Sequence, residues 1–261
     1  MRQFFAALLA VILMAAGRSW ADELVAGRLS GQFMISSDIP LSEGLVYVYN
    51  LSTGPAPSRD RFWRVPDFSK QLDNKGRFNI KLPPGEFYVG AIKRSTLTKI
   101  GPPAEGDYFV ISLDENNKPL KYLVTKDEKR DIGIIAGALP FKQLPLQKGM
   151  TAIEGIVQDP DENPVAGAIV FAFMTPTITG KPLFVSDRSN NEGKFVLRVH
   201  EGGSYYLKVR DDFGGGPPRS GSLFDGDKDE TMQNVLLKTG QIAGGIKLQG
   251  KTFPGRGRNK E

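Results

Sequence analysis

In the run RFNIKL, Phe78, Ile80 and Leu82 alternate with Arg77, Asn79 and Lys81, the period of two expected of a strand with one buried and one wet face. Asp73 through Gly76 ahead of it suits a type I turn, with Asp first and Gly fourth. Pro84-Gly85 behind it suits a type II turn, Pro fixing one φ and Gly taking the positive one. The chain then returns as EFYVGAIKR with Phe87, Val89 and Ala91 on one face, so the stretch predicts a hairpin. A near copy begins at Asn190. There Phe195, Leu197 and Val199 alternate with Lys194, Val196 and Arg198, Gly202-Gly203 turns the chain, and Tyr205, Leu207 and Val209 run back.

Two further segments match in the same order. EGLVYVYN at Glu43 parallels AGAIVFAFM at Ala166, and GPPAEGDYF at Gly101 parallels GPPRSGSLF at Gly216. Matches kept in order read as an internal duplication of a unit of roughly 110 to 120 residues, an ordinary domain size. Each unit shows about seven short apolar runs separated by turn signals. The prediction is an all-β chain of two tandem antiparallel β-sandwiches, spanning 22–138 and 150–250. A linker (139–149) joins them, and a short tail (251–261) follows. Cutting the linker near Pro145 is expected to give separately folded halves. The edge strands of both sandwiches are expected to stay open for pairing with another chain.

Composition agrees with many strands and tight turns. The 261 residues are 40% hydrophobic and 24% charged, with 30 glycines and 18 prolines, a globular balance. The opening MRQFFAALLAVILMAAGRSWA has a basic residue at Arg2, an apolar stretch from Phe4 to Ala16, and small residues at Ser19 and Ala21. It reads as a signal peptide (1–21), cleaved after Ala21, that sends the chain to a periplasm or out of the cell. An uncleaved anchor is the alternative, but the apolar run is shorter than the roughly 20 residues that cross a bilayer. No membrane span is expected after cleavage. The chain has no cysteine, which removes disulfides and thiolate metal sites.

The net charge is +5, of which Arg2 and Arg18 belong to the leader and +3 to the ending from Lys251 to Glu261, so the body between is neutral. Nucleic-acid binding wants a positive face on a folded domain. An excess held in a Gly/Pro-containing tail argues against it.

The order GIVQDPDENPVAGAIVFAF, a variable loop, DRSNNEGKFVLRV and EGGSYYLKVR resembles the carboxypeptidase regulatory-like domain. That family is a transthyretin-like (prealbumin-like), Ig-like sandwich related to the B-type repeats of bacterial surface adhesins. Gly155, Pro164, Gly167, Ala168, Gly193, Phe195, Gly203 and Tyr205 occupy the expected places, and Gly76, Phe78, Pro84, Gly85 and Tyr88 fit in the first unit. The resemblance implies two tandem sandwiches in an exported bacterial protein. It implies no catalytic zinc site.

No catalytic residue, metal ligand or cofactor is expected. His200 is the lone histidine; it shares a strand face with Lys194 and Arg198, which points it to solvent, and one imidazole does not make a zinc site. The string DGDKDE from Asp225 to Glu230 lacks the later bidentate glutamate of a calcium loop. The segment PSRDRFWRVPDFSKQ stands out: Phe62, Trp63 and Phe68 sit among Arg61 and Arg64. Exposed rings beside charged donors stack on sugars or peptides, so these five residues are the candidate ligand-binding site. The alternative is that the rings close one edge of the first core. The leading expectation is an exported, non-catalytic binding, scaffolding or adhesion module whose partner is an envelope or extracellular protein or a polysaccharide. A carbohydrate-binding module is the alternative, and a hydrolase with an unrecognised site is the third.

Overall fold

The computed structural model describes residues 26–95, 101–142, 145–176, 180–213, 220–224 and 232–253. The expected leader, the acidic string at Asp225 to Glu230 and the end of the basic tail lie outside them. Among the described residues there is no α-helix. The first set of strands is β1 (Gly27–Phe33), β2 (Leu45–Asn50), β3 (Trp63–Arg64), β4 (Phe68–Gln71), β5 (Arg77–Leu82), β6 (Gly85–Lys93), β7 (Tyr108–Ile111), β8 (Lys121–Val124), β9 (Lys129–Ile135) and β10 (Leu139–Pro140). The second is β11 (Thr151–Gln158), β12 (Ile169–Phe173), β13 (Phe184–Val185), β14 (Lys194–Val199), β15 (Gly203–Arg210), β16 (Leu223–Phe224), β17 (Gln233–Leu237), β18 (Ile242–Gln249) and β19 (Lys251–Thr252).

The two sets repeat one topology. A small sheet β5-β1-β9 matches β14-β11-β18; in each the first strand pairs antiparallel with one neighbour and parallel with the other. The parallel pair departs from the purely antiparallel expectation. A larger sheet β10-β7-β6-β2-β4, with β8 also on β6, matches β19-β16-β15-β12-β13, with β17 on β15. Leu139–Pro140, at the start of the expected linker, thus pairs with β7, and Lys251–Thr252, at the start of the expected tail, pairs with β16.

Local chemistry repeats as well. Gly76 and Gly193 both take φ +72, and each donates its N–H to the carbonyl of Asp73 or Asn190, at 3.0 and 2.9 Å. The side-chain oxygens of Asp73 and Asn190 accept from the amides two and four residues on, as a side-chain-closed turn requires. Gly31 lies opposite Phe78 and Gly155 opposite Phe195, beside a bulge in each parallel pair. A Cβ on Gly155 would stand 2.1 Å from the Ile246 carbonyl oxygen, so glycine lets that backbone approach. Core rings repeat too: Phe68 meets Phe87 edge-on at 6.2 Å, and Phe184 meets Tyr205 at 6.1 Å.

Burial follows the alternation in β5, where Phe78, Ile80 and Leu82 are inside and Arg77, Asn79 and Lys81 outside. Phe78 joins Leu29, Phe33, Val46, Phe87 and Val89 in the first core. Phe195, Leu197 and Val199 join Ile153, Val170 and Tyr205 in the second. A third apolar cluster lies between the two larger sheets. It combines Tyr47, Tyr49, Tyr88, Ile92, Phe109 and Ile111 of the first set with Ile169, Phe171, Phe173 and Val185 of the second, together with Trp63. Four sheets therefore stack with three apolar layers between them. Both faces of β2, β6 and β12 are covered, which explains their nearly unbroken apolar runs.

The shared layer changes the expectation of independent halves. Fully burying one large apolar side chain is worth roughly 1.5–3 kcal/mol, so exposing several of these eleven residues would cost about as much as a whole domain's stability, roughly 5–15 kcal/mol.

Candidate functional site

The segment between β2 and β4 is an arm that leaves the first sandwich, reaches the second and returns. Its strand β3 pairs antiparallel with β13, Trp63 opposite Val185 and Arg64 opposite Phe184, and Val65 continues the ladder to the Leu183 carbonyl at 2.9 Å. The larger sheet of the second sandwich thus gains a strand from the first, and the β13 edge expected to stay open is covered.

Each candidate residue has a different place. Arg61 is exposed. Phe62 is 4% exposed and belongs to the second core, 5.4 Å from Phe184 and 5.3 Å from the His200 ring. Trp63, 7% exposed, lies in the shared layer against Phe109 and Phe141, at 5.9 and 5.1 Å. Arg64 turns back into its own loop. Phe68 is half-buried on the first core, with the Lys181 ammonium of the second unit over its ring at 5.3 Å. The five side chains do not converge on one surface, and the two most buried rings offer no platform to a sugar in this arrangement.

Electrostatics explains why the arm holds. The Trp63 indole donates to Asp187 Oδ1 at 2.8 Å, and Arg198 donates to Asp187 Oδ2. Arg198, expected on the wet face with His200, is buried and paired with the carboxylate that also takes the Trp63 indole; Lys194 and His200 remain exposed. Arg64 donates to the carbonyls of Gly54 (3.2 Å), Pro55 and Asn50, to Thr53 Oγ1 (2.6 Å) and to Asp67 Oδ2 (2.9 Å). Burial lowers the Arg64 pKa and the Asp67 carboxylate opposes that fall. Its guanidinium also stands over the Tyr49 ring at 5.5 Å. A buried charge needs this many partners to be tolerated.

The units also approach each other closely at Gly101. Arg94 donates to Asp107 (2.6 Å) and to the carbonyls of Pro102 and Gly101, while a Cβ on Gly101 would stand 2.7 Å from Arg188 Nη2. Burial and the neighbouring Arg94 both lower the Arg188 pKa. The cavity bordered by Tyr47, Tyr49, Trp63, Arg64, Phe109 and Phe213 measures about 10 Å³, room for no more than one water. Among the described residues, no cluster of three or more His, Cys, Asp or Glu side chains forms a metal site. No helix among them is long and apolar enough to cross a membrane.

Sequence reasoning missed the pairing of Asp187 with Arg198. Its signal was charge inside otherwise packed stretches, Asp187 and Arg188 in FVSDRS and Arg198 in FVLRV.

No family model and no curated protein matches the chain. Among solved structures, the Bacillus anthracis TIE protein aligns with 87% of this chain and 34% of its own, at 14% identity and a TM-score of 0.28. A streptococcal ancillary pilin aligns with 87% of this chain and 63% of its own, at 12% identity and a TM-score of 0.25. The shaft pilin SpaA of Lactobacillus rhamnosus GG aligns with 87% of this chain and 99% of its own, at 11% identity and a TM-score of 0.22. The chain spans about a third of the TIE protein and less than two thirds of the ancillary pilin. Likeness at these scores carries no argument about function.

Proposed function

We propose that the chain is an exported, non-catalytic binding or scaffolding element of the cell envelope or exterior. Its two carboxypeptidase regulatory-like sandwiches, at 22–138 and 150–250, act as one rigid body. The observation that carries this reading is the arm over the shared layer: Phe62 fills the second core while Trp63 and Asp187 tie the units together. A rigid pair presents two outer sheet faces at a fixed separation, which suits a spacer or scaffold. The repeated turn glycines and the repeated topology support the family reading. The Arg, Asp and Trp side chains of the junction are engaged in structural bonds, which supports a non-catalytic role.

The test is a pull-down with the full chain from envelope and secreted material at physiological salt, beside cell fractionation. Recovery of a specific partner, with the chain found outside the cytoplasm, is expected. A cytoplasmic chain that recovers nothing would contradict the reading.

A further inference from the structure

We propose that the outer face of the β5-β1-β9 sheet binds an anionic glycan, a polysaccharide bearing carboxylate or sulfate groups; this rests on the exported binding role above and names its partner class. Strand register sets Lys81, Arg28 and Lys129 side by side across three hydrogen-bonded strands, about 4.8 Å apart per strand. All three are exposed. Lys81 has a partner of its own, but Arg28 and Lys129 face each other across the parallel pair, and like charges directly opposite on a sheet destabilise it, so this pair of cations asks for a reason outside the fold. The second copy shows that the fold does not require it. The corresponding register positions there hold Arg198, Ala152 and Ile242, and Arg198 is buried against Asp187.

The chemistry between the cations favours a glycan over other polyanions. Ser30, Gln32 and Asn79 stand on the same face; the Ser30 hydroxyl donates to the Arg130 carbonyl at 3.4 Å and Gln32 Nε2 to the Lys75 carbonyl at 2.8 Å, which leaves the Gln32 carbonyl oxygen and the Asn79 amide nitrogen to meet sugar hydroxyls. Arg28 Nη1 reaches Asn79 Oδ1 at 3.4 Å. Arg77, Gln32 and Asp131 border a shallow groove of about 320 Å³ beside the row, within the range of small-ligand sites. Asp131 is the one carboxylate among these outward positions, against the four cations Arg28, Arg77, Lys81 and Lys129. Phe78 borders the groove but is buried in the first core, so it presents no open ring for nucleic-acid bases to stack on. Ile134 is the one large aliphatic there, too little apolar surface to enter a bilayer.

The test measures binding of the full chain to polygalacturonate over a salt series. Neutral dextran, phosphatidylglycerol vesicles and poly-deoxythymidine serve as the other arms. Binding to polygalacturonate that weakens with salt is expected, with none to dextran. The Arg28→Gln/Lys129→Gln variant should lose at least about tenfold in affinity and show a salt slope smaller by about 2. Its thermal midpoint should not fall, because the change relieves repulsion; Lys129→Glu provides a second variant with the same expected loss. Lys118→Gln, a loss of charge at an exposed turn away from the row, should bind as the unaltered chain does. Absence of polygalacturonate binding, binding indifferent to the row, or row-dependent binding to vesicles or poly-deoxythymidine in its place would overturn the assignment. A partner recovered in the pull-down without polygalacturonate binding would leave the exported binding role standing and remove only this face's ligand.

Discussion

Trp63 donates its indole N–H to the Asp187 carboxylate at 2.8 Å, a bond between residues 124 positions apart that joins the two copies of the repeated sandwich. Asp187 also holds Arg198, so the indole completes a buried charge pair as well as filling space. Trp63→Phe keeps a ring but removes the donor, and should cost about 1–3 kcal/mol. Trp63→Ala should cost about 3–5 kcal/mol. Denaturant titration followed by circular dichroism measures both; equal, negligible losses would mean the arm is not held by this bond.

Phe62 and Arg61 are neighbours with opposite surroundings. Phe62→Ala should cost about 3–5 kcal/mol because the ring fills the second core. Arg61→Ala, at an exposed position, should stay within about 0.5 kcal/mol. A Phe62 variant as stable as the Arg61 variant would show that the ring is not packed and return it to the candidates for ligand contact.

Paired substitutions test the duplication. Phe78→Ala and Phe195→Ala should each cost about 3–5 kcal/mol, and losses under about 1 kcal/mol would mean that the strand faces are misassigned. The glycines opposite them should differ. A Cβ at Gly155 meets the Ile246 carbonyl at 2.1 Å, whereas at Gly31 the nearest atom is a movable Ile132 side-chain carbon at 2.8 Å. Gly155→Ala should therefore destabilise more than Gly31→Ala in thermal unfolding.

Alkaline pH should loosen the molecule through its buried tyrosines. Burial raises the pKa of Tyr47, which Arg94 partly opposes, and also that of Tyr49. It pushes Tyr205, whose hydroxyl donates to the Glu201 carbonyl, up to about 12. A group raised in the folded state contributes stability that is complete below its free value, near pH 10 for tyrosine, and is lost as pH rises through the folded value. Thermal midpoints should fall between about pH 10 and 12, and less steeply in Tyr47→Phe/Tyr49→Phe. A flat profile over that range would contradict the burial of these hydroxyls.

Local chemistry in the sequence accounts for the individual sandwiches. The wet and dry alternation of β5, the Asp73–Gly76 turn and its Asn190–Gly193 copy are set by neighbours within a few residues, so pattern reading reaches them. The shared layer left a weaker trace. LVYVY and IVFAF lack alternation because both faces are buried, yet a continuous apolar run does not say what covers its second face. The arm was legible as an aromatic and arginine-rich segment, but not its destination: the pairing of β3 with β13 joins segments about 120 residues apart. Asp187 and Arg198 lie only 11 residues apart, but a period of two places Arg198 on the wet face without naming a partner for it.

The most direct test is equilibrium unfolding of the chain beginning at Asp22, in which Trp63 is the only tryptophan. Trp63 fluorescence reports the junction and far-ultraviolet circular dichroism reports strands throughout. Units joined by the shared layer should give one transition with coincident midpoints by both probes. A fluorescence change that is complete while most strand signal remains, followed by a separate second transition, would show that the sandwiches are independent bodies.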